Sequence, residues 1–235
     1  MPAVTVTALD DLTLIRLDRP PVNAIDLDTL DALATAIEEA GERPGAVVLT
    51  GRPGAFSAGI DVRAAAAYSP EQRHAMVVGV NRLCLAAYRA PVPVVAAVSG
   101  HAIGGGLVLA LCCDHRVGVE GAGVYALPEA RAGVPFPAGA MAVVRAELDP
   151  ATARRLALGD RRYTPEEALS AGILDELVPM HRVLAAAQEA AERLAALPSD
   201  TYRVVKHQLR ASALAALEAA VAEGADPLVE AWMQG

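Results

Sequence analysis

Aromatic residues make up only 3% of this 235-residue chain, and a single lysine, Lys206, stands among its 20 cationic residues. With 54% apolar residues and so few rings, the core must be built from small side chains, alanine above all, in sufficient amount for one large domain or one domain with a small appendage. A net charge of −8 argues against nucleic acid or an anionic membrane as partner. The cysteines are Cys84, Cys112 and Cys113, an odd number in apolar surroundings without metal-ligand spacing. They read as buried free thiols in a reducing compartment. No signal peptide is expected, because "MPAVTVTALDDLTLIRLDRP" carries charge early and lacks a long apolar region. A cytoplasmic location is expected.

One run imitates a membrane span: "VPVVAAVSGHAIGGGLVLALCC" is about the length that crosses a bilayer. It holds His101 and three glycines in its middle and has no aromatic flanks, so a buried strand, a tight loop and a buried helix explain it better.

Strands and helices alternate along most of the chain. "VTVTALDDLTLIRLDRP" reads as two short strands around an acidic turn. "DLDTLDALATAIEEAG" opens on a capping Asp, places Leu30, Leu33 and Ile37 on one face and closes at Gly41, as an amphipathic helix does. "GAVVLTG" is a buried strand, "RPGAFSAGID" a glycine-rich loop, and an alanine-rich helical run follows from about Val62. The order then repeats: "PVPVVAAVSG" as strand, "HAIGGG" as tight loop, "GLVLALCC" as helix, "DHRVGV" as strand. Helices are expected from about Met141, and the last third is helical in period. The fold class is α/β with a helical C-terminal part.

Each repeat is strand, glycine loop, helix start. The first helical turn exposes unpaired N–H groups, and the dipole makes that end attractive to negative charge. Two such ends brought together present two backbone donors to one oxygen, an arrangement suited to chemistry at a carbonyl. Neither loop is a phosphate P-loop or a G-x-G-x-x-G dinucleotide fingerprint.

With both loops in view, the sequence resembles the crotonase superfamily, the enoyl-CoA hydratase/isomerase family. The resemblance rests on "LDRPPVNAIDLDTLDAL", "FSAGID", "SGHAIGGGLVLALCCDHRV", "LPEARAGVPFP" and "TPEEALSAGILDELVP", in that order along nearly the whole chain. It implies a spiral of ββα units over residues 1–180 and a helical oligomerisation region over 181–235, assembled as a homotrimer or a pair of trimers. It implies an acyl-CoA thioester as substrate, with coenzyme A arriving as part of it, and no metal or redox cofactor. The oxyanion donors fall on the N–H groups of Ile60 and Gly105, with Ala58, Gly59 and Gly104 beside them as substrate-lining positions. Asp61 to Arg63 lie near the coenzyme A arm.

In that family, hydratases carry one glutamate after the triple glycine and a second in the "PE" segment. Here the first position is Val108, and the second is kept as Glu129. Adding water to a double bond favours two such groups, whereas moving a double bond from C3 to C2 needs one base. The motifs look most like the Δ3,Δ2-enoyl-CoA isomerases, and an isomerase using Glu129 is the first expectation. The alternatives are a weak or specialised hydratase, a non-catalytic acyl-CoA binding protein, and another crotonase chemistry using His101. Several side chains keep two readings. His101 is pocket lining or structural on one reading and touches the substrate on the other, and Arg63 meets a coenzyme A phosphate or is an ordinary exposed arginine. Asp61 caps a helix or carries a proton, and Phe136 lines the acyl pocket or braces a proline-rich turn.

Overall fold

The computed structural model describes residues 2–222 and 226. Strands β1 (Val4–Leu9) and β2 (Leu12–Leu17) pair antiparallel, with Asp10 at φ 44° in their turn. After β3 (Ala24–Ile25), helix α1 (Leu27–Gly41) begins where the Asp26 carboxylate accepts from the Thr29 N–H at 3.0 Å. It buries Leu30, Leu33, Ala34 and Ile37, the face that its spacing predicts. Strand β4 (Ala46–Thr50) follows.

The glycine-rich stretch after β4 is more ordered than a loop. It forms β5 (Gly54–Ser57) and β6 (Gly59–Ile60), because other strands recruit its backbone. The alanine-rich run is also two helices, α2 (Val62–Ala66) and α3 (Pro70–Arg89). The break falls at Ser69, whose hydroxyl and Gln72 form a capping box with Pro70 at the first helical position. Then come β7 (Val94–Val98), β8 (Gly100–Ile103), α4 (Gly105–Leu111) and β9 (His115–Val119). The first half of the expected tight loop "HAIGGG" is thus strand β8, held between β5 and β10 (Tyr125–Ala126). Helices α5 (Glu129–Ala132), α6 (Ala138–Glu147), α7 (Pro150–Ala157) and α8 (Pro165–Ser170) lead to a strand in the expected helical region, β11 (Glu176–Val178). It adds to the sheet edge beside β9. Helices α9 (Val183–Ala195) and α10 (Ser199–Ala222) complete the described chain.

The main sheet has the order β1-β2-β4-β7-β9-β11 and is parallel apart from the first hairpin. Its central strands are buried on both faces, which explains their unbroken apolar runs. Val47, Leu49, Val94, Ala96 and Val98 face the main core with α1, α3 and α4. Val48, Val95, Ala97, Val117 and Val119 face Val183, Ala186, Ala187, Ala190 and Ala191 of α9. Alanines on α9 let its backbone lie close to the sheet, a use for the chain's abundant alanine. Two smaller parallel sheets, β10-β8-β5 and β3-β6, stand beside the main one and carry the glycine loops.

The "CDHRV" stretch anchors the last helix. Asp114 accepts from the Val94 N–H at 2.7 Å and Lys206 Nζ at 2.7 Å, and Arg210 Nη1 stands 3.1 Å away. Arg210 donates to the carbonyls of Tyr88, Cys112 and Cys113 and stacks on the Tyr88 ring at 4.0 Å. Burial pulls the Lys206 ammonium below its ordinary range, opposed by the Asp114 charge. Of the C-terminal region expected over 181–235, "PLVEAWMQG" lies outside the described residues. All three cysteines are free and buried, and burial pushes the Cys113 thiol up to about 12. Among the described residues no helix is long and apolar enough to cross a membrane, and no acidic, His or Cys cluster suits a metal ion.

Candidate active site

The first glycine loop is built on Asn23. Its buried amide donates to the carbonyls of Leu17, Ala55 and Phe56 at 3.0, 3.0 and 3.1 Å. The Ser57 hydroxyl donates to the Asn23 carbonyl at 2.7 Å and accepts from the Gly59 N–H at 3.1 Å. These bonds hold β6 beside β3, and the Asp61 N–H donates to the Ile25 carbonyl at 2.8 Å. Strand alternation then turns the Ile60 N–H away from β3, toward the second loop.

The second loop meets it there. Gly59 lies at φ 77°, and a methyl group on it would stand 2.7 Å from the Ile103 carbonyl oxygen and 2.8 Å from the Gly105 nitrogen. Only glycine allows that approach and that backbone angle. A methyl group on Gly105 would stand 3.8 Å from the Ile60 nitrogen, so the two amides border the same small space. Gly105 is the first residue of α4, where no carbonyl of the helix can accept from it. The preceding Gly104, at φ 56°, donates to the Ala126 carbonyl at 2.8 Å.

Opposite these amides lies Glu129, at the start of α5. A methyl group on Gly104 would stand 3.0 Å from Glu129 Oε1, while Oε2 is buried without a hydrogen-bond partner. Burial pushes the Glu129 carboxyl up to about 7, opposed only in part by a backbone hydrogen bond. Between them lies a cavity of about 100 Å³. Ala58, Ile60, Ile103, Gly104, Gly105, Val108, Glu129 and Phe136 all line it, with Val80 of α3 and Ala140 of α6. Among the described lining residues, Glu129 is the sole ionisable side chain. Val108 presents an apolar surface to the cavity, and it is 2% exposed.

The remaining expected residues lie around this centre. Asp61 caps α2, accepting from the Ala64 N–H at 3.1 Å, and it pairs with Arg19 Nη1 at 2.8 Å. These bonds hold its carboxyl below the usual range, and the side chain does not border the cavity. Arg63 is exposed on α2, next to Val62 at the cavity mouth. His101 shares a face of β8 with Ile103 but is exposed and outside the cavity lining. Phe136 does line the cavity, at 9% exposed. Two positions carry work that the sequence did not assign to them. Arg19 bridges Asp26 at 2.9 Å and Asp61, tying the caps of α1 and α2 together, and Asn23 clamps the first loop. Their trace in the sequence is the "LDRPPVNAID" string alone.

Two amides on one side of a small apolar cavity and one carboxylate of raised pKa on the other suit proton transfer beside a carbonyl. This site, on a spiral of parallel strands and helices, places the chain among the crotonase-type α/β proteins. It belongs to the enoyl-CoA hydratase/isomerase family, whose model matches residues 8–232. A carnitinyl-CoA dehydratase from Salmonella typhi is 35% identical over 186 residues, covering 77% of this chain and 69% of the relative. The structure of an enoyl-CoA hydratase from Mycobacterium ulcerans superposes with a TM-score of 0.89 at 32% identity, over 98% of this chain and 99% of that one. The human mitochondrial Δ3,Δ2-enoyl-CoA isomerase superposes with a TM-score of 0.84 at 26% identity, over 99% and 96%. Relatives thus carry hydratase-type and isomerase names alike, and the choice falls to the cavity's own residues.

Proposed function

We propose that this protein is a Δ3,Δ2-enoyl-CoA isomerase that moves a double bond from C3 to C2 with Glu129 as its one base. The observation that carries this reading is the lining of the cavity, in which Glu129 is the sole ionisable side chain among the described residues. The thioester oxygen is received by the N–H groups of Ile60 and Gly105. Glu129 takes a proton from C2, and negative charge develops on that oxygen as the enolate forms. The same carboxyl, now protonated, returns the proton at C4, leaving the double bond between C2 and C3. A group with a pKa near 7 holds and releases a proton at comparable cost, as a shuttle requires. Coenzyme A is carried by the substrate, its arm leaving past Val62 and Arg63.

Hydration would require a second group to activate water. Val108 and the apolar wall around it supply none, which sets this chain's cavity against the dehydratase reading suggested by its relative's name. The exposed position of His101 likewise weakens a chemistry that uses it as an added base or nucleophile. A homotrimer or pair of trimers is part of the proposal, supported by the exposed apolar side chains Val204, Val205 and Leu209 on α10, and a cytoplasmic location is proposed with it. The test is to supply a 3-enoyl-CoA and follow the ultraviolet absorbance of the conjugated 2-enoyl thioester, with Glu129→Gln alongside. A rise that drops about 100- to 10,000-fold in the variant supports the reading. Tight acyl-CoA binding by both proteins with no rise in either sinks it and leaves a binding protein.

A further inference from the structure

A second apolar cavity lies directly behind the first. It measures about 530 Å³, against about 100 Å³ for the active-site cavity. The two share the wall Val134, Pro135 and Phe136. Helix α6 is common to them as well, but by opposite faces. Ala140 borders the first cavity, whereas Ala138, Met141, Ala142 and Arg145, spaced as one helical face, border the second. On its far side the second cavity reaches the surface at Leu158, which is 77% exposed. Phe136 is the one aromatic side chain in the shared wall, and it is itself buried.

We infer that Phe136 is the specificity-determining residue for acyl-chain length, closing the active-site cavity to a long chain and keeping the second cavity from serving as its continuation. The inference rests on the proposed acyl-CoA function and deepens it. The physical reason is the mismatch of volumes. The small cavity accommodates the reacting carbons and a short tail, and a larger apolar surface that a longer tail could use lies on the other side of the ring. The second cavity has the chemistry of an acyl-chain site, because among its described lining residues Val134, Pro135, Met141, Ala142, Ala157 and Leu158 outnumber the charged Arg145 and Asp226. A long tail stopped at the ring must instead lie in solvent or distort the Val134–Phe136 segment. Each methylene moved out of water is worth roughly fourfold in affinity, so opening the wall produces a large effect.

The test uses the full chain and two saturated thioesters, hexanoyl-CoA and dodecanoyl-CoA, whose binding does not depend on turnover. Titration calorimetry gives the ratio of their affinities for wild type, Phe136→Ala and Phe136→Leu, the last guarding against loss of fold in the first. Removing the ring is expected to shift that ratio toward dodecanoyl-CoA by at least about tenfold, with the leucine variant between. Adding Met141→Trp, which fills the second cavity, is expected to cancel the shift. An unchanged ratio in both Phe136 variants overturns the inference while leaving the function standing. So does a shift that survives Met141→Trp. Failure of every protein to bind either thioester overturns the proposed function and the inference with it.

Discussion

Replacing Glu129 by Gln should make the protein more stable at neutral and alkaline pH, at the expense of its chemistry. The carboxyl is held at about 7 by burial, against an ordinary value of 4.5, and one of its oxygens is buried without a partner. A folded-state pKa above the unfolded one means that the folded protein binds the proton more tightly. The associated stability is fully present below about pH 4.5 and is lost as the pH rises through about 7. A shift of about 2.5 units corresponds to about 3 kcal/mol at 1.36 kcal/mol per unit. Glutamine copies the neutral carboxyl and cannot ionise, so it escapes that loss. Urea unfolding of the two proteins should give equal stabilities near pH 4, and at pH 8 the variant should lead by about 3 kcal/mol. Equal stabilities at pH 8, or a less stable variant there, would refute the claim that Glu129 is an uncompensated buried charge.

The same group sets the pH dependence of turnover. With 3-enoyl-CoA, kcat/KM should rise with pH and level off above about 7, falling about tenfold per unit below it, as read from a pH–rate series. Gly59→Ala places a methyl group 2.8 Å from the Gly105 nitrogen at a φ that disfavours alanine. Thermal unfolding should register a loss of about 3 kcal/mol, and kcat should drop about 100-fold as the two amides are pushed apart. Val108→Glu installs a second carboxylate on the cavity wall, and hydration of a 2-enoyl-CoA, followed by loss of the conjugated absorbance, should increase about 100-fold. Asp114→Ala strips the buried Lys206 and Arg210 of their shared anion and should cost about 3–5 kcal/mol in urea unfolding.

The α/β class and the helix over α1 were legible because their signals are local. Leu30, Leu33 and Ile37 recur at helical spacing, and Asp26 is a cap in plain view. The break at Ser69 was not read from the sequence, because its capping box lies within an alanine-rich background that looks like one continuous helix. Other elements exist only through distant partners. Gly59–Ile60 is a strand because β3 lies beside it, and His101 sits on a strand because β5 and β10 enclose it. A three-residue strand such as β11 carries too few residues to show a period of two. At the site, the family resemblance pointed to Ile60, Gly105, Val108 and Glu129, and these positions share one cavity. The second cavity behind Phe136 had no trace in the sequence, because its walls come from α6, α7 and α10 together.

The most direct test of a one-base site is the identity of its product. Wild-type protein is incubated with 3-hexenoyl-CoA, and the product is weighed by mass spectrometry and placed by proton NMR. An isomerase acting through Glu129 alone yields 2-hexenoyl-CoA of unchanged mass, with the vinylic protons moved to C2 and C3. Accumulation of a 3-hydroxyhexanoyl thioester, one water heavier, would contradict the account, because it would require the second catalytic group that the wall at Val108 does not provide.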